Sequence, residues 1–84
     1  MDERPLSERL EERCSDPAHP MTYEQASVAM GQPANAVSRW VRLDVIPGPD
    51  KWPAIAEFLG ISQFEVSGAA GLDQIERTRR RKLR

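Results

Sequence analysis

Leu6, Leu10 and Cys14 recur at helical spacing, with Ser7, Glu8, Arg9, Glu11 and Glu12 between them. The pattern predicts an amphipathic first helix that stops before Ser15-Asp16-Pro17-Ala18-His19-Pro20, a polar loop broken by prolines. A second helix is predicted from Thr22, which has Gln25 three residues on, as a reciprocal capping box requires. Ala26 and Met30 face inward, and Gly31 ends the element in a conformation that suits glycine. Only Gln32 intervenes before Pro33 opens a third helix over about 33–42, since a first-turn proline gives up no helical N–H. Val37, Trp40 and Val41 form the apolar stripe of that helix. Asn35, Ser38, Arg39 and Arg42 fall on its other side, the arrangement a groove-reading helix needs.

Ile46-Pro47-Gly48-Pro49 is a turn or loop. Asp50 is expected to cap a fourth helix, with Pro53 in its first turn, Trp52, Ile55, Ala56 and Leu59 on its apolar side, and Gly60 closing it. Ser62 and Glu65 suggest another capping box, opening a short fifth helix through Phe64 and Val66 to about Ala70. Gly71 is expected to break it, and Asp73 to cap a last basic segment, helical or disordered. Neither a period-two strand pattern nor an internal repeat is evident. The expected fold is all-α: a compact five-helix domain over 1–71, its motif at 22–42, followed by a basic C-terminal extension over 72–84.

Eighty-four residues suffice for one small core and leave little room for a deep substrate pocket. With one cysteine (Cys14) and one histidine (His19), neither a disulfide framework nor a structural zinc site can be assembled. No cofactor site and no metal site is expected. No spacing suggests a nucleophile with its base and no glycine-rich phosphate loop appears, so the chain is not read as an enzyme. Cys14 reads as a small apolar filler and His19 as an exposed loop residue. Apolar runs are too short for a membrane span, and the acidic N-terminus does not suit a secretory signal. The expected setting is cytoplasmic. Trp40 and Trp52 could stack bases of a single strand, but both lie on apolar stripes and are assigned to the core.

The net charge of −1 hides an asymmetry. Arg77, Arg79, Arg80, Arg81, Lys82 and Arg84 all follow the last acid, Glu76. Over 1–76 six bases stand against thirteen acids, a net −7. An acidic body with a basic tail is a mixed signal for a nucleic-acid binder. Because charges are screened over about 10 Å at 0.1 M salt, those nearest the phosphates count most.

The stretch Tyr23-Glu24-Gln25-Ala26-Ser27-Val28-Ala29-Met30-Gly31, followed by Val37-Ser38-Arg39-Trp40, resembles the lambda-repressor/Cro-like helix-turn-helix family of the xenobiotic-response-element type. Pro47, Pro49-Asp50 and Ile55-Ala56-Glu57-Phe58-Leu59-Gly60-Ile61-Ser62 look like that family's fourth helix and its entry into the fifth, so the likeness covers roughly 6–71. The chain departs from the pattern at Ser27, where alanine is common, at Leu43, where a glycine ends the third helix, and at Tyr23 and Gln32. The resemblance implies a transcription regulator of repressor type that binds double-stranded DNA with its third helix in the major groove. On that reading Arg39 suits guanine O6 and N7, Asn35 suits adenine N6 and N7, and Ser38 permits close approach. Thr22, Tyr23, Gln32 and Arg42 are candidates for phosphates, and Arg79, Arg80 and Arg81 of the tail add backbone contacts. The chain would act as a homodimer or as a monomer.

Two alternatives stand beside this. A protein-interaction regulator, antitoxin-like or phage-encoded, would use the same fold on a protein partner; the acidic body and Phe64 motivate it. Trp40-Val41-Arg42 followed by Ile46-Pro47 is also similar to excisionase-type winged helices, against which the helix expected at 51–59 argues.

Overall fold

The computed structural model describes residues 3–82, so Arg84 of the basic cluster lies outside it. Five helices follow in order: α1 (Leu6–Cys14), α2 (Tyr23–Ala29), α3 (Ala36–Val41), α4 (Trp52–Leu59) and α5 (Gln63–Lys82). Among the described residues there is no strand, and the residues after α3 run through a loop into α4 where a β-wing would be needed. The protein is all-α. Among the described residues no helix is long and apolar enough to cross a membrane.

One core holds the helices together. Leu6, Leu10 and Cys14 of α1 meet Ala26 and Met30, Ala36, Val37 and Trp40, Ile55 and Ala56, and Val66, Ala69 and Ala70. Cys14 is a buried free thiol that burial pushes up from its ordinary pKa. After α1 the loop closes where the Met21 N–H donates to Cys14 O at 3.0 Å, leaving His19 exposed.

The ends of α2 follow the sequence. Thr22 Oγ1 accepts from Gln25 N at 3.0 Å, and Gln25 Oε1 accepts from Thr22 N at 2.9 Å. At the other end Gly31 has φ +70°, its N–H bonds to Val28 O, and Gln32 N–H bonds to Ser27 O. These crossed bonds satisfy carbonyls the last helical turn would leave open.

The third helix repeats this C-terminal geometry with a residue poorly suited to it. Leu43 sits at φ +64°, while its N–H bonds to Trp40 O and Asp44 N–H bonds to Arg39 O. Left-handed backbone strains a residue with a side chain by about 1–2 kcal/mol. Burial of Leu43, 7% exposed, offsets that strain.

Three expectations are corrected. Asp50 does not cap α4: its cap position is Lys51, with no side-chain bond. A cap at Asp50 would need the amides of Trp52 and Pro53, but Pro53 has none and Trp52 N–H already donates to Pro49 O at 3.3 Å. The indole N–H of Trp52 also donates to Pro47 O at 3.2 Å, pinning this loop. Second, the third helix begins at Ala36 and not at Pro33. Ala36 N–H bonds to Pro33 O, a tight turn, and Val37 N–H turns to another partner described below. Third, Gly71 does not end the fifth helix, which runs for 20 residues to Lys82. Ser62 Oγ accepts from Glu65 N at 3.1 Å and opens the helix as expected.

Asp73 is the reason the long helix is anchored where a break was expected. It is 1% exposed, and it accepts from Ser7 N at 2.9 Å and from Ser7 Oγ at 2.7 Å. Pro5, at the N-cap of α1, makes no side-chain cap bond. The carboxylate from α5 takes over that duty, where an anion also favours the helix dipole.

Candidate nucleic-acid interface

Six residues cannot hold a helix in water unaided. α3 is fixed by what its inner side touches. Ala36, Val37 and Trp40 are buried, Val41 is half-buried, and Leu43 closes the end. Ser27 supplies the remaining constraint. It is fully buried on α2, donates its hydroxyl to Tyr23 O at 2.8 Å, and accepts from Val37 N at 3.0 Å. One hydroxyl thus ties the two helices of the motif and caps the second of them.

The outward side carries the residues singled out above. Asn35, Arg39 and Arg42 are exposed and Ser38 is half-buried. Asn35 occupies the N-cap position of α3 without a side-chain cap bond, so its amide is not spent on the helix. The backbone carbonyl of Asn35 accepts from Ser38 Oγ at 3.1 Å. Arg42 Nη2 lies 3.3 Å from Asp44 Oδ2, both well exposed. Arg39 has no acid within ion-pair distance among the described residues.

Lys51 was not singled out in the sequence. It lines a shallow depression of about 140 Å³ with Gln32, Asn35, Arg39, Trp40 and Val45. Its ammonium lies 3.6 Å from Asp50, another exposed pair. Nothing local links a loop lysine to the third helix; only the fold of 43–51 back beside Trp40 does. A larger open cleft, about 630 Å³, lies elsewhere, where Arg9 and Arg13 meet Glu12, Asp16 and Glu65.

The backbone candidates divide. Gln32 is half-buried beside the depression, with Nε2 3.5 Å from Met30 O. Thr22 is exposed, but its N–H and Oγ1 are both engaged in the capping box. Tyr23 is half-buried and its phenol is pushed above its ordinary pKa, first by burial and then by Glu11 and Cys14. It therefore remains a neutral hydrogen-bond donor. Arg79, Arg80 and Arg81 stand exposed on the last turn of α5. Arg79 and Arg80 share a groove with Val41 and Leu43 near the end of α3, and both pair with Glu76, at 3.6 and 3.2 Å.

Chemically, this surface presents a planar five-donor guanidinium and a donor–acceptor amide from one rigid side, with two part-neutralised cations at its edge. Such groups match the edges of purines and the oxygens of phosphates. No protein-family model, no curated protein and no solved structure matches the chain.

Proposed function

We infer that the chain is a sequence-specific double-stranded DNA-binding regulator of transcription, of the repressor type, built on a lambda-repressor/Cro-like helix-turn-helix and acting in the cytoplasm without catalysis. One observation carries this reading. Asn35, Ser38, Arg39 and Arg42 share the outward side of a helix whose inward side is locked by Val37, Trp40 and the Ser27 hydroxyl. α3 enters the major groove, Arg39 and Asn35 meet base edges, and Arg42, Lys51 and Tyr23 contact phosphates.

Selection of preferred duplexes from a random pool tests it. A defined motif should emerge, and Arg39→Ala should weaken binding to that motif by roughly tenfold to a hundredfold, the value of one bidentate base contact. Equal affinity of Arg39→Ala and the native chain for the best duplex refutes the assignment. A second reading, a regulator acting on a protein partner, is favoured by Phe64, which is 88% exposed. DNA binding without sequence preference would shift the balance to it.

A further inference from the structure

Beside Arg39 the surface is apolar as well as cationic. Pro33, Ala36, Trp40 and Val45 line the small depression at whose rim Asn35 and Arg39 stand. Pro33 is exposed and Val45 half-buried, so both keep apolar surface open to solvent. The backbone holds these walls in place. Ala36 N–H bonds to Pro33 O at 2.9 Å, and the N–H groups of Asp44 and Val45 both bond to Arg39 O, at 2.9 and 3.5 Å. The loop after α3 is thereby tied to the residue whose guanidinium borders the depression. At about 140 Å³ the space falls below the roughly 300 Å³ of a small-molecule pocket. It suits a methyl group and the edge of the ring that bears it. In the major groove one standard base carries such a group: thymine, through its C5-methyl.

We propose that the depression seats the methyl of a thymine immediately 5′ of the guanine that Arg39 reads, which makes TpG the central step of the preferred duplex. The inference rests on the DNA-binding reading and deepens it. A guanidinium bonded to guanine O6 and N7 lies in the plane of that base, and the C5 substituent of the preceding pyrimidine projects beside it. The apolar wall of Ala36 and Val45 stands next to Arg39, where that substituent needs cover from water. Asn35 lies four residues before Arg39, about 6 Å along the helix axis, and the adenine paired with the thymine lies one base step from the guanine. A T·A pair beside a G·C pair thus engages the amide, the depression and the guanidinium together. Cytosine in the thymine's place offers an amino donor and no methyl. Among the described residues no carboxylate lines the depression to accept from that donor.

Matched duplexes built on the motif recovered by selection test it, with binding of the full chain followed by fluorescence anisotropy. Deoxyuridine in place of the thymine removes the methyl and nothing else, and should weaken binding about fourfold, the value of one buried methyl. Cytosine at that position should bind more weakly still, and 5-methylcytosine should recover the same factor of about four over cytosine. Val45→Thr keeps the side-chain shape and adds a hydroxyl. It should bring both ratios toward one while leaving affinity for the deoxyuridine duplex and the helical circular-dichroism signal unchanged. Pro33→Ala, on the opposite wall, should lower both ratios in part. A selected motif without TpG, equal affinity for the thymine and deoxyuridine duplexes, or ratios that survive both variants would each overturn the proposal and leave the DNA reading standing. Absence of any preference among sequences would overturn both.

Discussion

Replacing Ser27 by alanine would remove one oxygen and leave the volume of the α2–α3 contact almost unchanged. Two bonds go with it: the one given to Tyr23 O and the one accepted from Val37 N–H. The second loss matters more. Val37 and Ser27 are both fully buried, so water has no ready access to the abandoned amide. A buried donor stripped of its acceptor costs about 1–3 kcal/mol, well above the net value of an ordinary hydrogen bond. A domain of this size has roughly 4–13 kcal/mol in total, so the loss is a large share. Taking about 2 kcal/mol as the centre, the melting temperature should fall by about 8–16 °C.

Urea denaturation followed through tryptophan fluorescence reads the change directly, because Trp40 is buried and reports the core. Hydrogen exchange at Val37 should accelerate more than exchange at residues of α2. An alanine variant within about 0.3 kcal/mol of the native chain would refute the assignment of Ser27 as the cap of α3.

Leu43→Gly should be more stable than Leu43→Ala by about 1 kcal/mol, the reverse of their order in an ordinary helix, because both lose most of the Leu43 burial and only glycine relieves φ +64°. Equal stabilities, or alanine ahead, would contradict it. The Asp73 carboxyl is pushed above its ordinary 3.8, first by burial and then by Glu8, against the bonds from Ser7 and the charge of Arg80. A folded pKa above the unfolded one contributes stability that is complete below about 3.8 and lost as pH rises through the folded value. The advantage of the native chain over Asp73→Asn, measured in urea from pH 4 to 7, should therefore shrink as pH rises; a constant or growing difference argues otherwise. On the DNA reading, salt dependence should show whether the tail takes part. Arg42 and Lys51 alone give a slope of log affinity against log salt near −1.8, and adding Arg79, Arg80 and Arg81 steepens it to about −4.5.

Where local chemistry decides the structure, the sequence was legible. The Thr22–Gln25 box, the glycine stops at Gly31 and Gly60, and the end of α1 before Ser15 each depend on neighbours within a few residues. The outward set on α3 was legible for the same reason, since one helical period separates it from Val37 and Trp40. What escaped depends on distance along the chain. Gly71 is a helix breaker by propensity, yet Val66, Ala69, Ala70 and Asp73 pack on either side of it, and tertiary burial outweighs a local cost of about 1 kcal/mol. Asp73 looked like a cap and is one, but for a helix 66 positions away. Asp50 failed because Trp52 N–H was already taken within the loop and Pro53 had none to give. Lys51 joined Asn35 and Arg39 only through the path of the loop after Leu43.

The cap that Ser27 lends to α3 bears on the candidate site as well as on stability. An asparagine at an N-cap ordinarily turns its side chain inward onto the amide two or three residues ahead. For Asn35 the first of those amides belongs to Val37, and Ser27 already occupies it from α2. With φ −95° and ψ 5°, Asn35 also lacks the extended backbone such a cap needs, so its amide makes no cap bond and stays exposed beside Arg39, its donor and its acceptor both unspent. Alanine at position 27 would return the Val37 N–H to competition for that amide and draw Asn35 back onto its own helix. The buried serine thus acts on the outward face it never touches: it bears on which polar groups α3 keeps for itself and which it leaves exposed.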